Sequence, residues 1–173
     1  MVNQIIKKRR SIRKYDKSGV VTDEQIKALL EAAMLAPSAV NSRPWQFIVV
    51  QNRARLDQIV DNHQYAKMIE SASAAIIVLA NPKALFGSKV GGIEMWQHDC
   101  GAATQNILLQ AADMDLGTCW CGIHPSAEKM QIFKQMFDIG GDLVPFCVIA
   151  VGVPAEDFGS RGYYDENKVK WIK

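Results

Sequence analysis

Three short, almost uninterrupted apolar runs constrain the fold of this chain more than any other feature. They are residues 45–50, 74–80 and 145–151. Runs of this length are typical of β-strands that are buried on both faces. Because helical segments lie between them, the sequence predicts a mixed α/β layer fold.

Three segments carry the helical patterns. A capping box at residues 22–25 precedes apolar residues at helical spacing that end at Met34. Residues 96–114 are rich in alanine and leucine and leave few polar positions, so we expect a central, largely buried helix. A smaller helix is predicted after Pro125.

The length of 173 residues and the hydrophobic content of 49% predict one domain, residues 1–173, with its own core. No apolar run approaches the roughly 20 residues that span a bilayer. The first residues contain no apolar stretch of signal-peptide length. We therefore expect a cytoplasmic protein that does not bind membranes.

The four cysteines, Cys100, Cys119, Cys121 and Cys147, are too sparse for a secreted disulfide scaffold. We expect buried free thiols. A zinc site is the weaker alternative, because Cys119 and Cys121 lack the usual C-x₂-C spacing and a second pair. The same spacing is a poor redox motif. We therefore expect no bound metal.

Positive charge is concentrated in the basic cluster, residues 7–14, which holds six of the 20 lysines and arginines. The rest of the chain has 14 basic against 18 acidic residues, which is unlike a nucleic-acid footprint. One interpretation is a solvated face. The other is a phosphate site, because arginines at positions 9, 10 and 13 match phosphate geometry and Ser11 adds a hydroxyl.

Two loops leave alternatives open. Residues 36–45 form either a simple helix stop or a binding loop on a rigid frame. Residues 116–125 have three interpretations. They are a buried strand that ends in a glycine turn, a redox-active thiol pair, or a segment whose backbone N–H groups near Gly122 face a ligand. His124 is interpreted as a local hydrogen-bonding residue rather than a catalyst.

Dinucleotide-binding, P-loop and nucleophile-elbow motifs are missing from the sequence. Instead, an ordered set of short segments resembles the nitroreductase family of FMN-dependent oxidoreductases. These segments are residues 9–15, 36–38 with Asn41 and 44–45, 99–106, 116–120 and 151–154. They span almost the whole chain.

The resemblance implies an α+β sandwich, with a central mixed sheet flanked by helices. It also implies an obligate homodimer with two FMN sites at the subunit interface. In the C-terminal residues 163–173, Val169, Trp171 and Ile172 alternate with lysines. This pattern predicts an edge-seeking strand that is exchanged with the partner subunit.

By position, the resemblance also assigns cofactor-binding residues. Arg9, with Arg10 and Ser11, would hold the phosphate, and Arg13 would lie near the N1 and C2=O pole of the flavin. The partner subunit would supply Pro37, Ser38 and Asn41. The remaining assignments are Gln64 and Lys67 at the ring edge, the Cys121–Gly122 backbone at N5 or O4, and Arg161 as a second phosphate contact.

The implied activity is hydride transfer from NADH or NADPH through FMN to a nitroaromatic or quinone, by a ping-pong mechanism. The flavin carries the chemistry, so we expect no protein catalytic residue. The short region 82–92 predicts an open pocket and broad substrate tolerance.

Two alternatives remain. One is a specialised family member, such as a reductive dehalogenase, a flavin-fragmenting enzyme or another FMN dehydrogenase. The other is a basic-armed binding module without redox activity.

Overall fold

Four strands form the central sheet of the computed structural model, which describes residues 1–84, 89–90, 93–156, 162 and 164–173. They are β1 (Trp45–Val50), β2 (Ala74–Ala80), β5 (Gly117–Gly122) and β6 (Val144–Gly152). The order is β1-β2-β6-β5, and all three pairings are antiparallel. A two-stranded hairpin, β3 (Lys89–Val90) and β4 (Ile93–Glu94), is separate from the sheet.

Helices cover both faces of the sheet. They are α1 (Gln4–Lys8), α2 (Asp23–Met34), α3 (Arg53–Asn62), α4 (Trp96–Asp113) and α5 (Ala127–Met136). α2 and α4 pack on one face, and α3 and α5 on the other. This arrangement confirms the predicted α+β sandwich. The resemblance also implied a mixed sheet, whereas all pairings between the four strands are antiparallel. An isolated parallel bridge between Ser11 and Thr118 joins the N-terminal residues to β5.

The apolar runs form the predicted strands because both faces of the sheet are covered. Every residue of β2 is buried, and successive side chains enter the two cores alternately. Ile76 and Val78 pack towards α2 and α4, whereas Ile77 and Leu79 pack towards α3 and α5. Each such side chain contributes about 1.5–3 kcal/mol by leaving water.

The pairing of β2 with β6 contains one irregularity. Val78 pairs with Cys147 but Leu79 pairs with Pro145, so Phe146 is bulged out of the register. Proline cannot donate to a strand ladder, which explains why the break lies beside Pro145. The carbonyl of Phe146 accepts N–H bonds from Ile123 and His124, at 3.1 and 3.0 Å, and so fixes the chain just after β5.

The predicted helices are confirmed, including the reciprocal capping box of Thr22 and Gln25 at the start of α2. α4 is the central helix expected from its composition, and nine of its residues are buried. The chain leaves it through Asp115, which has a φ of 56°. No helix among the described residues is long and apolar enough to cross a membrane.

The described part of the C-terminal tail, residues 164–173, contains a 3₁₀ turn at Glu166–Lys168 and no strand. Trp171 and Ile172 are 74% and 88% exposed. The exchange of this segment with a partner subunit therefore stays a prediction.

The N-terminal arm, residues 9–16, runs along the edge of the sheet. The Ile12 N–H donates to Thr118 O at 2.9 Å, and the Asp16 N–H donates to Val153 O at 2.9 Å. The side chains of Ile12 and Tyr15 are buried. The arm is therefore a fixed part of the fold.

Two glycines allow this close approach. A Cβ atom on Gly117 would lie 2.8 Å from Cγ2 of Ile12, and one on Gly152 would lie 2.8 Å from Cδ1 of Tyr15. Both distances are too short for carbon atoms in contact. The absence of side chains at these positions lets the arm pack on the sheet.

We predict that Gly117→Ala destabilises the protein by about 1–3 kcal/mol, because Ile12 must move out of a packed site. The measurement is the free energy of unfolding in urea. Gly140→Ala is the control, since a Cβ atom there meets nothing within 4 Å. Equal stabilities of the two variants would contradict the packing argument.

Candidate active site

The arm presents its arginines along the outer edge of β5. Arg9, Arg10 and Ser11 are half-buried, whereas Arg13 is exposed. The backbone N–H groups of Arg13 and Lys14 both donate to Oε1 of Glu156, at 2.7 and 2.8 Å. One carboxylate thus holds the segment from which the Arg13 side chain projects.

A cavity of about 230 Å³ lies beside the arm, on the side of α4. Arg9 and Arg10 line it together with Ile12, Leu108 and Ala112. Its two carboxylates are already engaged, Asp115 by an ion pair with Lys8 and Glu156 by the arm backbone. Guanidinium groups beside apolar walls fit a ligand that combines a phosphate with an aromatic ring.

The outer edge of β5 has backbone groups that the sheet does not use. In an antiparallel strand, alternate residues direct their N–H and C=O groups away from the neighbouring strand. Thr118 does so, because its carbonyl bonds the arm. Trp120 and Gly122 share this orientation, and the Gly122 carbonyl indeed lies 2.9 Å from Nε2 of His63, outside the sheet. The N–H of Gly122 therefore points outward from the same edge of the sheet.

The turn after α3 lies next to this end of β5. It carries Gln64 and Lys67, whose side chains are exposed. Two contacts join it to the strand: the bond between His63 and Gly122, and the Cys121 thiol, whose Sγ lies 3.3 Å from Tyr65 O. The predicted ring-edge residues and the predicted backbone donor are thus neighbours.

The thiols of Cys119 and Cys121, two residues apart in the strand, lie on one face of β5 and pack in the α3–α5 core. All four cysteines are free and buried, as expected. A hydrogen bond from Cys121, helped by the charge of Arg13, lowers the pKa of Cys119 below its ordinary value. The same bond and burial raise the pKa of Cys121.

The loop between α2 and β1 is organised by Asp99 at the start of α4. This buried carboxylate accepts a bond from the Ala39 N–H at 2.9 Å and contacts Ser42 Oγ at 3.3 Å. Ser38 Oγ accepts from the Arg43 N–H at 3.0 Å, and Asn41 has a φ of 55°. The loop is therefore a built structure rather than a simple helix stop.

Comparison with known proteins agrees with the family resemblance found in the sequence. The model of the nitroreductase family matches residues 6–86 and 63–153. A relative from Methanothermobacter thermautotrophicus, named "Putative NADH dehydrogenase/NAD(P)H nitroreductase", is 42% identical over 98% of this chain and 87% of its own. The chain belongs to the nitroreductase family.

Solved structures agree with this nitroreductase assignment. An FMN-dependent nitroreductase from Clostridium difficile has a TM-score of 0.85 at 26% identity, with 98% of each chain covered. A protein from Desulfovibrio desulfuricans, solved in complex with FMN, has a TM-score of 0.80 at 26% identity. That match covers 100% of this chain and 99% of the other.

The structure brings most of the predicted site residues together along β5. They are Arg9, Arg10, Ser11 and Arg13 beside its edge, Cys121 and Gly122 at its end, and Gln64 and Lys67 in the adjoining turn. Arg161 lies outside the described residues. Parts of region 82–92, whose short length predicted an open pocket, lie outside them too.

Within one chain, the loop that carries Pro37, Ser38 and Asn41 lies apart from this group of residues. Their loop leads into β1, which forms the opposite edge of the sheet from β5. Three strand spacings of about 4.8 Å put the two edges roughly 14 Å apart. One chain thus carries two separate portions of the predicted site.

No role was predicted from the sequence for three residues that shape the candidate site. Asp99 orders the α2–β1 loop, Glu156 holds the arm, and His63 joins the turn after α3 to β5. Asp99 lies within a segment that carried the family resemblance, which was a usable signal. His63 and Glu156 carry no local pattern, because each acts through contacts far away in the chain.

We predict that the protein loses stability as the pH falls from about 7 to about 5. Burial lowers the pKa of His63 and of His124 below the ordinary value of 6.5. Both histidines bind protons more readily in the unfolded chain, so acid favours unfolding below that value. Urea unfolding at several pH values checks this, and His63→Gln should flatten the slope. Parallel slopes for wild type and variant would exclude the contribution of His63.

Proposed function

We propose that this chain is an FMN-dependent oxidoreductase that takes hydride from NADH or NADPH and reduces a nitroaromatic or quinone. One observation carries the proposal: the arginines of the arm and the Gly122 N–H lie along the same outer edge of β5. Family membership and the FMN complex of the D. desulfuricans relative support the choice of cofactor.

The phosphate of FMN would be held by Arg9, Arg10 and Ser11. Charge-assisted hydrogen bonds contribute about 1.5–3 kcal/mol each, so two or three are enough for tight binding. The hydrogen bonds and buried side chains that fix the arm hold these donors in place before the ligand arrives. Such preorganisation lowers the entropic cost of binding.

Bound FMN would supply the hydride chemistry itself. The chain would supply orientation and charge. Arg13 would place a cation near the N1 and C2=O pole, where negative charge accumulates on reduction. The Gly122 N–H would donate to the N5 or O4 edge, with Gln64 and Lys67 beside the ring.

A homodimer is part of the proposal because one chain separates the two portions of the site. A second chain could set its own Pro37, Ser38 and Asn41 against the first chain's arm. An apolar groove of about 360 Å³ between α1, α2 and α4 supports this. The exposed Ile6 and Leu35 line it, at 53% and 82% exposure. The C-terminal tail, with Trp171 exposed, would cover the partner.

The first test is the visible absorption spectrum of the purified protein, before and after anaerobic addition of NADH or NADPH. We expect a flavin band close to one FMN per chain that bleaches with nucleotide. Arg9→Gln should weaken FMN binding by about 10- to 100-fold, because it removes a charge-assisted phosphate contact.

The matched control is Lys7→Gln, which removes one charge from the same cluster at an exposed residue of α1. Its FMN affinity should stay within about twofold of wild type, as exposed charges contribute little. A colourless protein that stays colourless with added FMN would overturn the proposal. Salt-sensitive binding of nucleic acid by that protein would favour the binding-module alternative.

The ping-pong mechanism predicts parallel lines when the reciprocal rate is plotted against reciprocal NADH concentration at several quinone concentrations, since nucleotide and acceptor use the same site in turn. Steady-state kinetics with a soluble quinone provides the measurement. Lines that intersect would show that both substrates bind together and would exclude the mechanism. Release of halide from haloaromatic acceptors, or breakdown of the flavin, would favour a specialised family member.

A further inference from the structure

His63 is a buried imidazole, 1% exposed, whose two nitrogens have defined partners. The Tyr65 N–H donates to Nδ1 at 3.3 Å, so Nδ1 carries no proton. Nε2 then carries the hydrogen and donates to the Gly122 carbonyl at 2.9 Å. These partners select one neutral tautomer.

The surroundings favour the same neutral form. The edges of the Phe133 and Tyr65 rings pack against the imidazole, with centroids 6.2 and 6.4 Å away. The charged group that acts on it is Lys129 of α5, whose Nζ also lies 5.1 Å from the centre of the Tyr65 ring. Burial of the imidazole and, to a smaller extent, the positive charge of Lys129 both oppose protonation of His63.

Gly122 needs such a restraint because glycine has no side chain to limit its dihedral angles. On its N-terminal side, the Cys121 thiol is held at Tyr65 O. On its C-terminal side, Ile123 and His124 both bond Phe146 O at the bulge. The bond from His63 holds the Gly122 carbonyl, which the sheet leaves at the edge together with the Gly122 N–H. With the residues on both sides of Gly122 also held, this bond restricts the dihedral angles of the glycine and so the direction of its N–H.

We propose that His63 is a positioning residue that sets the Gly122 N–H, and the neighbouring turn with Gln64 and Lys67, in the geometry that binds the flavin ring edge. The inference rests on the proposed function. His63 itself acts through Gly122 and has no contact with the ligand. His63 thereby controls two properties, the affinity for FMN and the reduction potential of bound FMN. A change at His63 leaves the phosphate contacts of the arm intact.

The experiment compares His63→Leu and His63→Gln in the full-length protein. His63→Leu removes both hydrogen bonds, and FMN should bind about 10-fold more weakly, the effect of losing one hydrogen bond between a misplaced Gly122 N–H and the ligand. His63→Gln can still donate near the position of Nε2 and should bind FMN within about threefold of wild type. Quenching of FMN fluorescence gives the affinity.

The midpoint potential of the bound flavin is the second measurement. A tenfold difference between the affinities for oxidised and reduced FMN equals about 30 mV for two electrons. We expect His63→Leu to shift the potential and His63→Gln to restore it towards wild type. Should His63→Leu fail to fold, His63→Asn gives the same test, because its amide can accept from Tyr65 but is too short to reach Gly122.

Phe133→Leu is the packing control, since it loosens the contact around His63 without removing either hydrogen bond. It should keep the FMN affinity and potential of wild type. An equal loss in Phe133→Leu would assign the effect to packing and overturn the inference. Wild-type values in His63→Leu and His63→Asn would overturn it too, while FMN binding by wild type would leave the proposed function standing. Failure of wild type to bind FMN would instead reject the proposed function.

Discussion

The rest of the structure depends on how the N-terminal arm attaches to the edge of the sheet. Its backbone bonds backbone atoms of β5 and of the segment after β6 as well as the carboxylate of Glu156, and its two buried side chains fill space that Gly117 and Gly152 leave empty. The contacts that attach the arm are made by backbone atoms and by the apolar side chains of Ile12 and Tyr15, and Arg9 lines the cavity beside it. A cluster of like charges would otherwise repel itself and move in solvent. Here the fold holds the positive charge in one place, and the close packing nearby offsets the repulsion between the like charges.

The second constraint is that the sheet separates residues which the family resemblance assigns to one site. The loop with Ser38 is built around Asp99 at one edge, and the arm is built around Glu156 at the other. Each portion is rigid for its own local reason, so neither needs the other chain in order to form. In the homodimer proposed above, two such preformed portions would complete one cofactor site, and little ordering would oppose their association.

The strands and main helices could be predicted because their signals are local. Apolar runs placed β1 and β2 within the bounds observed, and the pattern from Thr22 to Met34 gave α2 with its cap. The strand order, the antiparallel directions and the bulge at Phe146 could not, since they arise from contacts between distant segments. The candidate site shows the same division. The arginines were evident from composition and resemblance, whereas His63 and Asp99 act on partners 59 and 60 residues away.

The outer edge of β5 explains why these non-local contacts matter. An open strand edge is a liability, because its unpaired N–H and C=O groups invite pairing with other chains. This fold covers the edge at both ends, by the arm at Thr118 and by His63 at Gly122. Between and beside these two contacts, backbone donors are left in fixed positions. Because the edge is restrained rather than fully paired, the same groups that would promote aggregation are suited to recognise the polar edge of a flat ligand. The glycine at its end gives that ligand room to approach the backbone.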